Sequence, residues 1–211
     1  MSKMNNPSLT ITRLRREYGP YATSVLEHAG LIKPVEGRKK GTIRRFEILG
    51  CLPTPAGFNK LFNKRYGTTV GDLIEDAYAE FEDLKNELEE WAYNVEEHFP
   101  DKADEVGEAA DALEVLESPD VEDDVSKLEV VYAPPIRKKK WGRVSVSRAA
   151  RCDEACSRLG VALDVLESFE GELKMRANPD LKKKIIEVQE LAHKLESHIS
   201  DAENIDFPGM Y

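Results

Sequence analysis

From Ile74 to Val95 the apolar residues Ile74, Ala77, Phe81, Leu84, Leu88, Trp91 and Val95 follow one another at spacings of three and four. A helix returns to the same face every 3.6 residues, so this run draws a single apolar stripe along a long helix. Such a seam has to be buried against other helices, with the intervening Glu and Asp turned outward. The same spacing recurs in Ala149, Cys152, Cys156, Leu159, Leu163 and Leu166, and again in Leu181, Ile185, Val188, Ala192, Leu195 and Ile199. A shorter segment through Val106, Ala109, Leu113 and Leu116 supplies a fourth helix. Phe99-Pro100 ends the first long run and Asn178-Pro179-Asp180 makes a tight turn between the last two. The body therefore reads as two antiparallel helical hairpins, coiled-coil-like or four-helix-bundle-like, closing on each other or on a second copy. Ala112–Ser118 is echoed at Ala162–Ser168 with one conservative change, so duplication of a hairpin stays open beside chance similarity of amphipathic helices.

The first third is built differently. Leu9, Ile11 and Leu14 lead to Tyr18-Gly19-Pro20, a short helix stopped by the Gly-Pro pair, and Tyr21 to Ala29 forms a second, ending at Gly30. The extended runs Leu31–Val35 and Thr42–Ile48 flank Gly37-Arg38-Lys39-Lys40-Gly41, which predicts a hairpin with a basic tip. Pro53 and Pro55 mark a break, and Phe58 to Tyr66 a further short helix. The fold class expected is mainly α. A winged-helix-like head (1–67) precedes an acidic hairpin (68–118), a connector (119–146) with a strand at Leu128–Tyr132, a second hairpin (147–203) and a tail (204–211).

Charge follows the same boundaries. The net charge of −10 hides +9 on residues 1–67, −20 on 68–133 and +1 on 134–211. An acidic total is thus a poor guide to partners, because a +9 head can bind a polyanion in front of an anionic body. No run approaches the roughly 18 apolar residues of a membrane helix, and Met1–Pro7 lacks the apolar core of a signal peptide, so a cytoplasmic protein without a membrane partner is expected. Three cysteines, Cys51, Cys152 and Cys156, read as free thiols.

Chemistry-bearing motifs are sparse. Glu190-x-x-His193 has one half of a di-iron spacing without its second half, and Cys152 and Cys156 lack a second pair for zinc. The glycine-bounded loop lacks the Gly-Lys-Ser/Thr ending of a P-loop, and no nucleophile elbow is present. The expectation is a non-enzymatic protein with no metal and no cofactor.

The head carries the functional signal. Thr10–Leu14, Leu26-Glu27-His28-Ala29-Gly30-Leu31-Ile32-Lys33-Pro34, Gly41 and Ile43-Arg44-Arg45-Phe46 together resemble the winged helix of MerR-type regulators and phage excisionases, and the likeness extends through Lys64–Ile74. It covers about residues 8–75. It departs where the family has an arginine before its Tyr-Glu, a place taken here by Ser24-Val25, and in the Pro-rich residues after the wing. The resemblance implies duplex DNA as partner, with Tyr21, Thr23 and Ser24 facing a groove and Arg38, Lys39, Lys40, Arg44 and Arg45 holding phosphates.

A second basic patch, Arg137, Lys138, Lys139, Lys140 and Trp141, suits either a nucleic acid, with the indole stacking on a base, or the chain's own Glu122, Asp123 and Asp124. Phe81, Leu88 and Trp91 on the acidic seam are expected at a partner or homo-oligomer interface. Phe207, Met210 and Tyr211 are expected there too, in an acidic, aromatic tail similar to the docking tips of single-stranded-DNA-binding proteins, or else folded back on the core. The helical blocks also resemble uncharacterised phage-encoded proteins, a likeness that implies no function. The function expected is a DNA-binding regulatory or accessory protein with a dimerising or partner-binding body. The alternatives are an adaptor or virion-associated assembly protein, and an acidic mimic of nucleic acid that occupies a host protein's basic site.

Overall fold

The structure, a computed structural model, describes residues 8–36, 43–135, 146–176 and 181–209. The chain divides into two compact units, 1–67 and 68–211. It is mainly helical, with two small sheets among the described residues.

The first unit runs β1 (Ser8–Thr10), α1 (Ile11–Tyr18), α2 (Ala22–His28), β2 (Ile32–Glu36), β3 (Ile43–Ile48) and α3 (Pro55–Tyr66). β3 lies at the centre of an antiparallel sheet, with β1 and β2 on its two sides. Leu9 pairs with Phe46 in β1 and stands outside the first helix, although its spacing from Ile11 and Leu14 predicts a helical position. Thr10 explains the boundary: its extended backbone leaves its side-chain oxygen to accept the amide of Arg13 at 3.3 Å, an N-cap that starts the helix one residue later. Gly19 at φ 84° stops α1 and Gly30 at φ 69° follows α2, both conformations that favour glycine. The third helix begins at Pro55, earlier than Phe58, because a proline at the first helical turn costs no hydrogen bond and Thr54 caps it through Gly57. Leu14, Ala22, Val25, Leu26, Ile32, Phe46 and Phe58 form the core.

β4 (Gly67–Thr69) begins at the last residue of the first unit and leads into the second, with α4 (Val70–Val95), α5 (Pro100–Glu114), α6 (Asp123–Ser126), β5 (Glu129–Val131), α7 (Arg148–Met175) and α8 (Lys182–Glu203). Thr69 and Asp72 cap α4 reciprocally. α4 packs against α5 and α7, and α7 against α8, so the two hairpins join into one helical bundle. Cross-links fix the directions. Arg151 near the start of α7 meets Glu87 and Glu80 of α4, and the Cys152 thiol donates to the Ala202 carbonyl near the end of α8 at 3.6 Å.

The connector belongs to this unit. β5 pairs with β4, the Val70 amide donates to the Leu128 carbonyl, and α6 lies on the start of α4. A β carbon at Gly71 would collide with Ser126, which is why that position is glycine. The seven-residue echo occupies unlike positions. Ala112–Ser118 runs off the end of α5 and Ala162–Ser168 sits inside α7; Ala112 is half-buried where Ala162 is buried. No described helix is long and apolar enough to cross a membrane.

Candidate functional site

The head folds around its apolar residues and leaves its cations outside. Arg13, Arg15 and Arg16 on α1, Lys33 and Arg45 on the sheet, and Lys60, Lys64 and Arg65 on α3 are all exposed. Among the described residues none of them forms a salt bridge; Arg65 lies 5.6 Å over the Tyr66 ring. The local pattern dictates this. In β3 Phe46 turns into the core and its neighbour Arg45 turns away, as alternation in a strand requires. In α1 Leu14 is buried and Arg13, Arg15 and Arg16 fall on the remaining arc. Exposed cations with no salt bridge among the described residues present a positive field that reaches about a Debye length, roughly 8–10 Å at ordinary salt.

The residues expected to face a groove fare differently. The Tyr21 ring is half-buried, edge-on to Phe62 at 5.7 Å and to Tyr66 at 5.5 Å. Ser24 is exposed, but its hydroxyl accepts from the Tyr66 hydroxyl at 3.0 Å. Both are thus engaged by α3, and Thr23 is half-buried on α2. The cause is an aromatic stripe on α3: Phe58, Phe62 and Tyr66 recur every fourth residue, and Phe62 and Tyr66 meet Tyr21 at the start of α2. Tyr18 completes the cluster, its ring 5.1 Å from Phe58 and its hydroxyl donating to the Pro53 carbonyl at 2.9 Å. Burial, with Glu17 adding to it, pushes the Tyr18 phenol up. The tyrosines are structural as well as superficial.

Arg38, Lys39 and Lys40 lie outside the described residues, as do Arg137, Lys138, Lys139, Lys140 and Trp141 of the second basic patch, and Met210 and Tyr211 of the tail. Arg44 belongs to β3 by its backbone.

In the bundle, the residues expected at a partner interface are occupied within the chain. Phe81 and Leu88 are 1% and 0% exposed in the core, because α5 and α7 cover the seam that resembled a dimer interface. Trp91 is half-buried under the Arg148 guanidinium, 4.8 Å from the ring centroid. Phe207 folds back onto the same core. What the bundle exposes is carboxylate. The outward positions of α4 and α5 carry Glu and Asp throughout, among them Glu75, Asp83, Glu90, Asp104 and Asp111, interrupted by exposed Tyr93 and Phe99.

The titratable groups inside are few. Tyr78 of α4 hydrogen-bonds to His198 Nδ1 of α8 at 2.6 Å. Burial pushes the Tyr78 phenol well up, and burial and then Lys194 hold the His198 imidazole below its ordinary value. Cys152 and Cys156 are buried and free, and Cys51 is exposed and free. A hydrogen bond with the Cys156 thiol, together with burial, pushes the Cys152 thiol up, which makes it a poor nucleophile. Glu190 and His193 are exposed, and among the described residues no group of three or more His, Cys, Asp or Glu side chains converges to hold a metal ion. Comparison with family models, with curated proteins and with solved structures finds no match to this chain.

Proposed function

We propose that the chain is a non-enzymatic DNA-binding regulatory or accessory protein whose cationic head grips the phosphates of a duplex. The observation that carries this reading is the exposure of the head's arginines and lysines with no salt bridge among the described residues. A second supports it. A strand, two short helices joined at Gly19-Pro20, and an antiparallel pair of strands follow one another in the order expected of a winged helix. Because the aromatics of α3 occupy Tyr21 and Ser24, phosphate contact rather than base reading by those two residues is the working mode. Counterion release then dominates affinity, with log K falling by about 0.9 per phosphate contacted for each decade of salt.

The test is a gel-shift titration of duplex DNA at low and high salt with the full chain and with Arg44→Ala/Arg45→Ala. Binding should be strongly salt-dependent, and the double variant should bind about tenfold more weakly with a salt slope smaller by about 2. Absence of binding at low salt, or a slope untouched by the variant, refutes the reading.

An adaptor or assembly role is the second reading, favoured by the exposed Tyr93 and Phe99 between carboxylates at the α4–α5 turn. It requires a protein ligand and no DNA affinity.

A further inference from the structure

Three sides of the bundle close tightly, α4 on α5, α4 on α7 and α7 on α8; the fourth, α5 against α8, barely touches. A groove of about 610 Å³ opens there between α5 and the end of α8 with the tail that follows it. Ala112 of α5 and Val115 just past its end line it, the latter 71% exposed, and Ile205 and Pro208 of the folded-back tail form its other wall. Its charged lining residues are Glu105, Glu108, Asp201 and Asp206. Glu105 is partly neutralised by Lys102 at 2.7 Å, while Glu108, Asp201 and Asp206 have no cationic partner among the described residues.

The geometry points to this groove as the docking site for a cationic, amphipathic helical segment of a protein partner. Glu105 to Val115 spans about 15 Å at 1.5 Å per residue, the length of roughly three turns of a partner helix. Apolar side chains of such a helix enter between α5 and the tail and cover the exposed Val115, and lysines or arginines on its flanks meet the carboxylates. The same carboxylates repel nucleic acid and anionic lipid, and no metal-holding cluster is present among the described residues, so a basic protein segment is the occupant that the charge fits. This deepens the partner-binding role given to the body and does not depend on the head's grip on DNA.

The experiment titrates a fluorescent amphipathic leucine–lysine peptide, and a scrambled peptide of the same composition, with the full chain. Two variants of equal charge change are compared. Glu108→Lys/Asp206→Lys lies in the groove, and Asp83→Lys/Glu90→Lys lies on α4 outside it. The ordered peptide should bind, the scrambled one more weakly, and the groove variant should lose about tenfold in affinity while the α4 variant keeps it. Circular dichroism of each variant reports that the bundle is intact. No peptide binding, or equal loss in both variants, overturns the proposal. Self-association of the chain that Glu108→Lys/Asp206→Lys abolishes makes a second copy the occupant and overturns it as well. Gel shifts with the groove variant keep failure here distinct from failure of the DNA reading, since duplex binding is expected to persist.

Discussion

The head and the bundle bury their apolar residues on very different scales. Seven described residues make up the buried cluster of the head, against 24 in the bundle, and a unit of 67 residues is small enough for its stability to be marginal. The bundle carries the larger core and exposes like charges that repel one another. The head has little margin, yet exposes a surface of opposite sign. What the contrast teaches is that the small unit is shaped by its outside: its short elements hold cations apart from acids, while the large unit is shaped by its seams.

The largest effects should come from truncating each core in turn. Leu88→Ala removes a side chain with no exposure at the centre of the bundle and should cost about 2–5 kcal/mol. Urea unfolding followed by far-UV circular dichroism should show a lower midpoint for the main helical transition, with duplex binding retained. Leu26→Ala has the same nominal cost, but falls on the unit with less to lose. It should abolish DNA binding and the dispersed amide signals of the head while leaving the main helical transition in place. If either substitution destroys both units together, the separation into two cores is wrong.

A medium effect tests the connector. Gly71→Val drives a side chain into Ser126 and should destabilise the bundle by about 1–3 kcal/mol, with hydrogen exchange rising first in α6 and at the Val70 amide. An unchanged melting temperature contradicts the close approach.

The smallest effect is a pH dependence of the bundle's stability. The Tyr78–His198 hydrogen bond is worth about 1 kcal/mol, the loss expected in Tyr78→Phe. His198 titrates below its ordinary value of 6.5 when folded, so the unfolded chain binds the proton more readily. The stability that this residue contributes is therefore present above its ordinary value and declines as pH falls through it toward the lowered folded value. His198→Gln should flatten the dependence between about pH 7.5 and pH 5.5, and a slope identical to that of the parent chain contradicts the assignment.

Much of this was legible in the sequence, and the reasons are specific. Spacings of three and four from Ile74 to Val95 could only be a helical stripe, and α4 follows it. Gly19 and Gly30 announced the two places where the head needs positive φ. The strand β1 was not legible. It is three residues long and its partner Phe46 lies far along the chain, so no local alternation marks it. α6 is a single turn, held by Val125 in the core and by the ion pair of Asp124 with Lys184, which no pattern in 119–146 discloses. At the candidate site, the exposure of the cations followed from their alternation with Leu14 and Phe46. The engagement of Tyr21 and Ser24 did not, because it depends on how α3 packs on α2; the stripe Phe58, Phe62, Tyr66 was the available sign. The seam residues Phe81 and Leu88 illustrate a general ambiguity, since spacing demands a covering helix without saying whose it is.

Lysine footprinting, with and without duplex DNA at low salt, decides whether the head is the surface that meets the duplex. If the head alone grips the duplex, Lys33, Lys60 and Lys64 lose reactivity toward an acylating reagent when DNA is added, while Lys85, Lys102 and Lys127 of the bundle keep theirs. Protection that falls on the bundle lysines, or on no lysine at all, contradicts the account.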